Sequence, residues 1–158
     1  MSAFRGTRIT NKGTITIAAP PEEVFPLLCP EREKEWLDGW DYEMIYSRSG
    51  LAEPGCAFTT DLPPEGRAYW LMTRHEPPRE AEYVRFVPGL MFVALSFRLA
   101  AGQGGTVMDT TYACTGVSEP GNEFIAANAA SQFARTLRRL ENALNHFTAT
   151  GALLKNPG

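Results

Sequence analysis

The chain holds few side chains suited to catalysis, and their settings limit what they can do. Acid–base work needs a titratable group inside a pocket. The two histidines are His75 and His146. His75 closes a strand-like stretch between Arg74 and Glu76, just ahead of Pro77-Pro78, and reads as an exposed turn residue. His146 falls near the end of a long helical pattern, where an imidazolium suits the negative end of the helix dipole. Arg74, Arg85 and Arg98 stand in strand patterns. Arg74 would anchor an acidic head group if it shares the inward face of Trp70 and Met72. Asp61 and Asp109 are expected to face outward. No Ser-His-Asp order, phosphate-cradling glycine loop or paired carboxylate stands out, so no catalytic residue is assigned. The cysteines, Cys29, Cys56 and Cys114, are odd in number and lack CxxC or Cys/His spacing. Neither a disulfide framework, a metal site nor a cofactor is indicated.

Binding chemistry is better represented. From Asn122, read as an N-cap, a helical pattern of about 25 residues runs to about Thr148. Ile125, Ala129, Phe133, Leu137, Leu140, Leu144 and Phe147 form its apolar stripe. Its first half is alanine-rich, with Ala126, Ala129 and Ala130 expected to face a sheet, and its second half is bulky. Small residues opposite a curved sheet leave volume and large ones fill it, so a pocket is expected beside residues 126–133. The charged residues lie mostly off the stripe, and Arg135, Arg138 and Arg139 read as a solvated face rather than a phosphate site.

Strand parity supplies the opposite wall. Met108, Thr110, Tyr112 and Cys114 share one face. Val93, Leu95, Phe97 and Leu99 share another, and Phe58 with Thr60 and Trp70 with Met72 are the choices on a preceding hairpin. Trp36 and Trp40 are expected near the mouth. The candidate ligand site is therefore Trp36, Trp40, Phe58, Trp70, Met72, Arg74, Phe97, Met108, Thr110, Tyr112, Ala129, Phe133 and Leu137, with Arg74, Thr110 and Tyr112 as polar anchors.

These residues need elements to hold them. A strand over 14–18 runs into Pro20-Pro21, where a helix begins with Glu22 and Glu23 in its first turn and Val24, Leu27 and Leu28 on one face. Residues 7–10 could lengthen that strand. After Cys29-Pro30, residues 31–40 form a second short helix or turn. About six strands follow, over 41–47, 56–62, 67–74, 82–87, 90–99 and 106–115, separated by turns rich in Pro and Gly.

A chain of 158 residues is expected to form one domain over 1–158, with an ordered core over about 8–148. At 44% hydrophobic it can build a core without a metal or disulfide staple. A net charge of −3 argues against nucleic acid as a partner. The chain has no apolar run of membrane-spanning length and no signal-peptide core at its start, so a soluble, cytoplasmic protein is expected.

Two segments resemble a known superfamily: Ile15-Thr-Ile-Ala-Ala-Pro-Pro-Glu-Glu-Val-Phe25 and Gly105-Thr-Val-Met-Asp-Thr-Thr-Tyr112. The third carrier is the last helix, Phe124 to Phe147. Together they resemble the START-related, birch-pollen-allergen-like group, which includes polyketide cyclase and dehydrase proteins. The resemblance implies an α+β helix-grip fold: a curved antiparallel sheet of about six to seven strands around a long C-terminal helix, with two short helices after the first strand. It implies a cavity for a hydrophobic or aromatic small molecule, lipids included, in a monomer or homodimer. A cyclase- or dehydratase-like lyase is the alternative, and a protein-partner adaptor the third reading. These motifs describe a fold rather than a reaction.

Overall fold

The computed structural model describes residues 3–155. The first strand, β1, spans Arg8–Ile17, so residues 8–10 extend it and Thr7 lies just outside. Pro21 then opens α1, Pro21–Val24, followed by a single 3-10 turn over Phe25–Leu27. Pro30 opens α2, Pro30–Trp36. A proline at a helix start gives up an N–H that has no partner there anyway. The second helix is shorter than the 31–40 expected, because the chain turns extended at Leu37.

Six strands follow: β2 Glu43–Tyr46, β3 Ala57–Leu62, β4 Gly66–Glu76, β5 Glu80–Val87, β6 Met91–Gly102 and β7 Gly105–Gly116. They form one antiparallel sheet in the order β1-β7-β6-β5-β4-β3-β2. Only β1 is out of sequence order, because it pairs with the last strand. The two short helices thus bridge the sheet from its β1 end to its β2 end and lie across one end of its concave face.

The long helix α3 spans Glu119–Thr150, 32 residues rather than about 25. Ser118, not Asn122, is the N-cap: its hydroxyl accepts from Gly121 N. Pro120 is inside the first turn, where proline is favoured, so Pro120 and Gly121, ahead of the expected cap, belong to the helix. Asn122 instead ties the helix to the N-terminal segment, its Oδ1 accepting from Thr7 N and its Nδ2 donating to Arg5 O. The helix ends at Gly151, whose left-handed φ of 71° suits glycine.

The buried face of α3 is Ile125, Ala129, Phe133, Leu140, Ala143 and Leu144. Ala126 and Ala130 are exposed, so only Ala129 of the three alanines meets the sheet. They lie one residue C-terminal to Ile125 and Ala129, about 100° around the helix, which carries them off the stripe. Leu137 packs over Gly13 of β1, where a Cβ would come within 2.2 Å of its Cδ1. The missing side chain at Gly13 lets the helix lie close on β1. Further along, Glu141 accepts from Thr16 N. Asn145 accepts from Ala18 N and donates to Thr16 O. These side chains cover the outer edge of β1 at its C-terminal end, which would otherwise be open there.

Candidate functional site

The concave face of the sheet, α2, the β3–β4 turn and α3 enclose a cavity of about 560 Å³. A shallower hollow of about 310 Å³ lies where Glu141 and Asn145 meet β1. There the Glu141 and Asn145 side chains are already engaged with the strand edge.

The strands present their inward faces to the cavity by alternation. On β6, Met91, Val93, Leu95, Phe97 and Leu99 are buried, and on β7 Met108, Thr110 and Cys114 are buried. On β5 the inward set is Ala81, Tyr83, Arg85 and Val87. The aromatic rings pack against one another rather than filling the space. Phe58 and Trp70 stack at 5.3 Å, with Tyr83 edge-on to both at 6.1 and 5.9 Å. Trp40 closes on the same pair at 6.3 and 6.1 Å. A second group joins Tyr112 to Phe133 at 5.1 Å and to Phe97 at 6.3 Å. The cavity touches both groups.

Of the residues expected at the site, Trp36, Trp40, Phe58, Trp70, Phe97, Tyr112, Ala129 and Phe133 line this cavity. Trp36 is not at the mouth, being fully buried with its indole N–H donating to Leu27 O. Met72, Met108, Thr110 and Leu137 belong to the surrounding core, off the cavity wall. Arg74 is outside altogether. A bulge between Met72 and Arg74 shifts the register, so the alternation that turns Trp70 and Met72 inward turns Arg74 outward. There it meets Glu76, Glu80 and Glu82. The same bulge turns His75 inward: it lies within β4, not in a turn, with its ring 5.5 Å from Phe25. Desolvation lowers its pKa. Arg135 and Arg139 line the cavity rather than a purely solvated face, and Arg139 donates to Asp38 O.

Glu33 and Arg85 border the cavity without being among the residues expected there, although each left a signal in the sequence. Glu33 precedes Trp36 and Leu37 by three and four residues, on their face of α2. The other charged residues of that helix pair off on its outer side, Arg32 with Glu35 and Lys34 with Glu31. Arg85 falls on the Ala81–Tyr83–Val87 side of an unbroken alternation. Its guanidinium lies 5.5 Å over the Trp70 ring, its partner across the β4–β5 ladder.

The surface that Glu33 keeps is cavity surface, and burial pushes its carboxyl up to about 8. Tyr112 is pushed up to about 12, mainly by burial, against a downward pull from Arg85. A raised carboxyl makes a pH-dependent contribution to stability. Below about pH 4.5 both states hold the Glu33 proton, and stability is unaffected. Between 4.5 and about 8 the unfolded chain releases a proton that the folded chain keeps, so stability falls as pH rises. The titratable and charged groups sharing the cavity are Tyr83 and Arg85 on β5, Tyr112 and Cys114 on β7, Glu65 in the β3–β4 turn, and Arg135 and Arg139 on α3. The full displacement corresponds to about 5 kcal/mol in a dry site, and water in the cavity reduces the expected loss to about 2 kcal/mol. Glu33→Gln should therefore gain about 2 kcal/mol over the parent between about pH 5 and about pH 9 in urea unfolding. A gap that stays constant over that range would place an ionised, solvated carboxylate at Glu33.

Phe133 is 7% exposed and borders the cavity, so its removal leaves space that is already partly open. Phe133→Ala should cost about 2 kcal/mol, less than the 3–5 typical of a fully enclosed phenylalanine, and should enlarge the cavity. A cost below about 0.5 kcal/mol in urea unfolding, with unchanged binding of a hydrophobic dye, would mean that Phe133 neither packs nor lines.

No family model and no curated protein sequence matches the chain. Solved structures do. An uncharacterized protein from Rhizobium leguminosarum superposes with a TM-score of 0.65 at 17% identity, over 91% of this chain and 99% of the other. The allergen Ara h 8.0201 gives 0.64 at 12% identity, over 91% and 99%. DynU16, a protein of the dynemicin biosynthetic locus, gives 0.56 at 16% identity, over 95% of this chain and 49% of its own. The chain has the helix-grip fold of the START-related, birch-pollen-allergen-like superfamily, and at these identities the likeness speaks to fold alone. No helix among the described residues is long and apolar enough to cross a membrane.

Proposed function

We propose that the protein binds a hydrophobic or aromatic small molecule between the concave sheet and α3. The observation that carries this reading is the cavity itself. Its volume, about 560 Å³, lies within the range of roughly 300–1,000 Å³ of small-molecule sites, and its wall is mainly aromatic and aliphatic with a few polar groups. A core optimised only for stability would have closed over Ala129, since interiors pack to crystal-like density. Native mass spectrometry of the protein purified from its own cells tests the reading. A retained small molecule, released by denaturation and lost on blocking the cavity, is expected. A protein that carries nothing and takes up none of a panel of apolar and aromatic compounds would end it.

A second reading has its own support. Glu33 is a carboxyl kept protonated near neutral pH in a cavity that also holds Arg85, which is a setting suited to general acid catalysis. A cyclase- or dehydratase-like lyase would show turnover of an aromatic polyketide-like substrate that Glu33→Gln abolishes while binding survives. We place the protein in a reducing compartment, the cytoplasm, on the strength of Cys29, Cys56 and Cys114, all buried as free thiols.

A further inference from the structure

The polar side chains around the cavity divide into those the protein satisfies and those it leaves open. The indole N–H groups of Trp36, Trp40 and Trp70 donate to Leu27 O, Pro30 O and Thr60 Oγ1, and the Tyr83 hydroxyl donates to Leu28 O. Glu33, Arg85 and Tyr112 stand differently. Among the described residues, the Glu33 carboxyl and the Tyr112 hydroxyl have no hydrogen-bond partner. The Arg85 Nε is buried and also lacks one. A buried donor without an acceptor costs free energy and calls for an explanation.

Arg85 is also the exception among its neighbours. Of the four arginines on β4, β5 and β6, Arg67 has Asp61, Arg74 has three glutamates and Arg98 has Glu80. Arg85 faces Trp70 on one side and Val93 on the other, with no carboxylate across either ladder.

Building on the ligand-binding reading above, we propose that the cavity is a site for a hydrophobic monocarboxylate, with the carboxylate on the Arg85 guanidinium and the apolar body among the aromatic rings. Trp70 lies against the guanidinium, its ring centre 5.5 Å from Cζ, and Arg85 itself borders the cavity. A guanidinium matches the two oxygens of a carboxylate. Glu33 does not compete for it: among the described residues the two form no ion pair, and a carboxyl pushed up to about 8 by burial is mostly protonated at neutral pH. Arg85 thus offers one guanidinium with no carboxylate partner among the described residues, which one ligand carboxylate supplies. The protonated Glu33 and the Tyr112 hydroxyl remain as donors for another oxygen on the ligand.

The test compares naphthoate with its methyl ester at neutral pH, followed by quenching of tryptophan fluorescence. The parent protein should bind naphthoate at least tenfold more tightly than the ester. Arg85→Met should bring the two affinities together, and Ala129→Trp should weaken both. Should Arg85→Met fail to fold, Arg85→Gln carries the same expectation. Equal affinities in the parent, both lost in Ala129→Trp, would overturn the carboxylate site and leave the ligand-binding cavity standing. A preference for naphthoate that survives Arg85→Met or Arg85→Gln would overturn it too. A preference that survives Ala129→Trp would move the anion to the surface arginines. Binding of neither compound would count against both this inference and the aromatic-ligand reading.

Discussion

Ala129→Trp should abolish binding in the cavity while leaving a folded protein. Ala129 sits on the buried stripe of α3 and borders the cavity, with Phe133 one turn further along the helix. An indole there projects from the helix toward the sheet and occupies space that is open in the parent, so it need not displace the core. Overpacking normally costs about 1–3 kcal/mol, and a pre-existing void lowers that cost. The affinity for a neutral probe such as N-phenylnaphthylamine should fall by at least about 100-fold, or about 2.7 kcal/mol. Circular dichroism and the urea midpoint should show that the fold is retained. Unchanged affinity in a folded variant would place the binding site elsewhere.

Much of this arrangement was legible from residue patterns. The alternation on β6 and β7 gave the inward faces directly, because both strands run without a bulge and pair residue for residue. The stripe on α3 was legible for the same reason, since one unbroken period fixes one face. The errors occur where a local event interrupts a period. Arg74 and His75 were placed on the wrong sides because a bulge is one extra residue that no residue type announces. The expected start of α3 is late because Asn122 is itself a favoured cap residue, while Ser118 supplies the cap that lets Pro120 and Gly121 join the helix. Ala126 and Ala130 were misread because alanine is compatible with either face of a helix, so composition alone did not orient them. Glu33 and Arg85 were passed over for a different reason. Charge in a sequence argues for exposure, and only the closed fold shows that α2 and β5 turn these two toward a common cavity.

Trp36→Ala should produce the largest loss of stability among single substitutions at the cavity. Trp36 is fully buried, and its indole N–H donates 2.8 Å to Leu27 O. The bond joins α2 to the 3-10 turn before it, and the ring anchors a helix of only seven residues that could not hold its shape alone. Truncation removes the ring, leaves Leu27 O without its partner and opens the cavity floor. The expected cost is about 4 kcal/mol, within the 3–5 seen for large aromatic deletions. Trp36→Phe keeps most of the ring volume and loses the donor, so it should cost about 1–2 kcal/mol. The consequence for function follows from the position of Glu33, three residues earlier on the same face. Once α2 loses its anchor, Glu33 gains access to water and its carboxyl returns toward the ordinary range. The steep fall of stability between about pH 5 and about pH 8 should then flatten in Trp36→Ala but persist in Trp36→Phe. If Trp36→Ala lowers stability by less than about 1 kcal/mol, or if both variants keep the parent's pH dependence, α2 is held by other contacts and the setting of Glu33 does not depend on this indole.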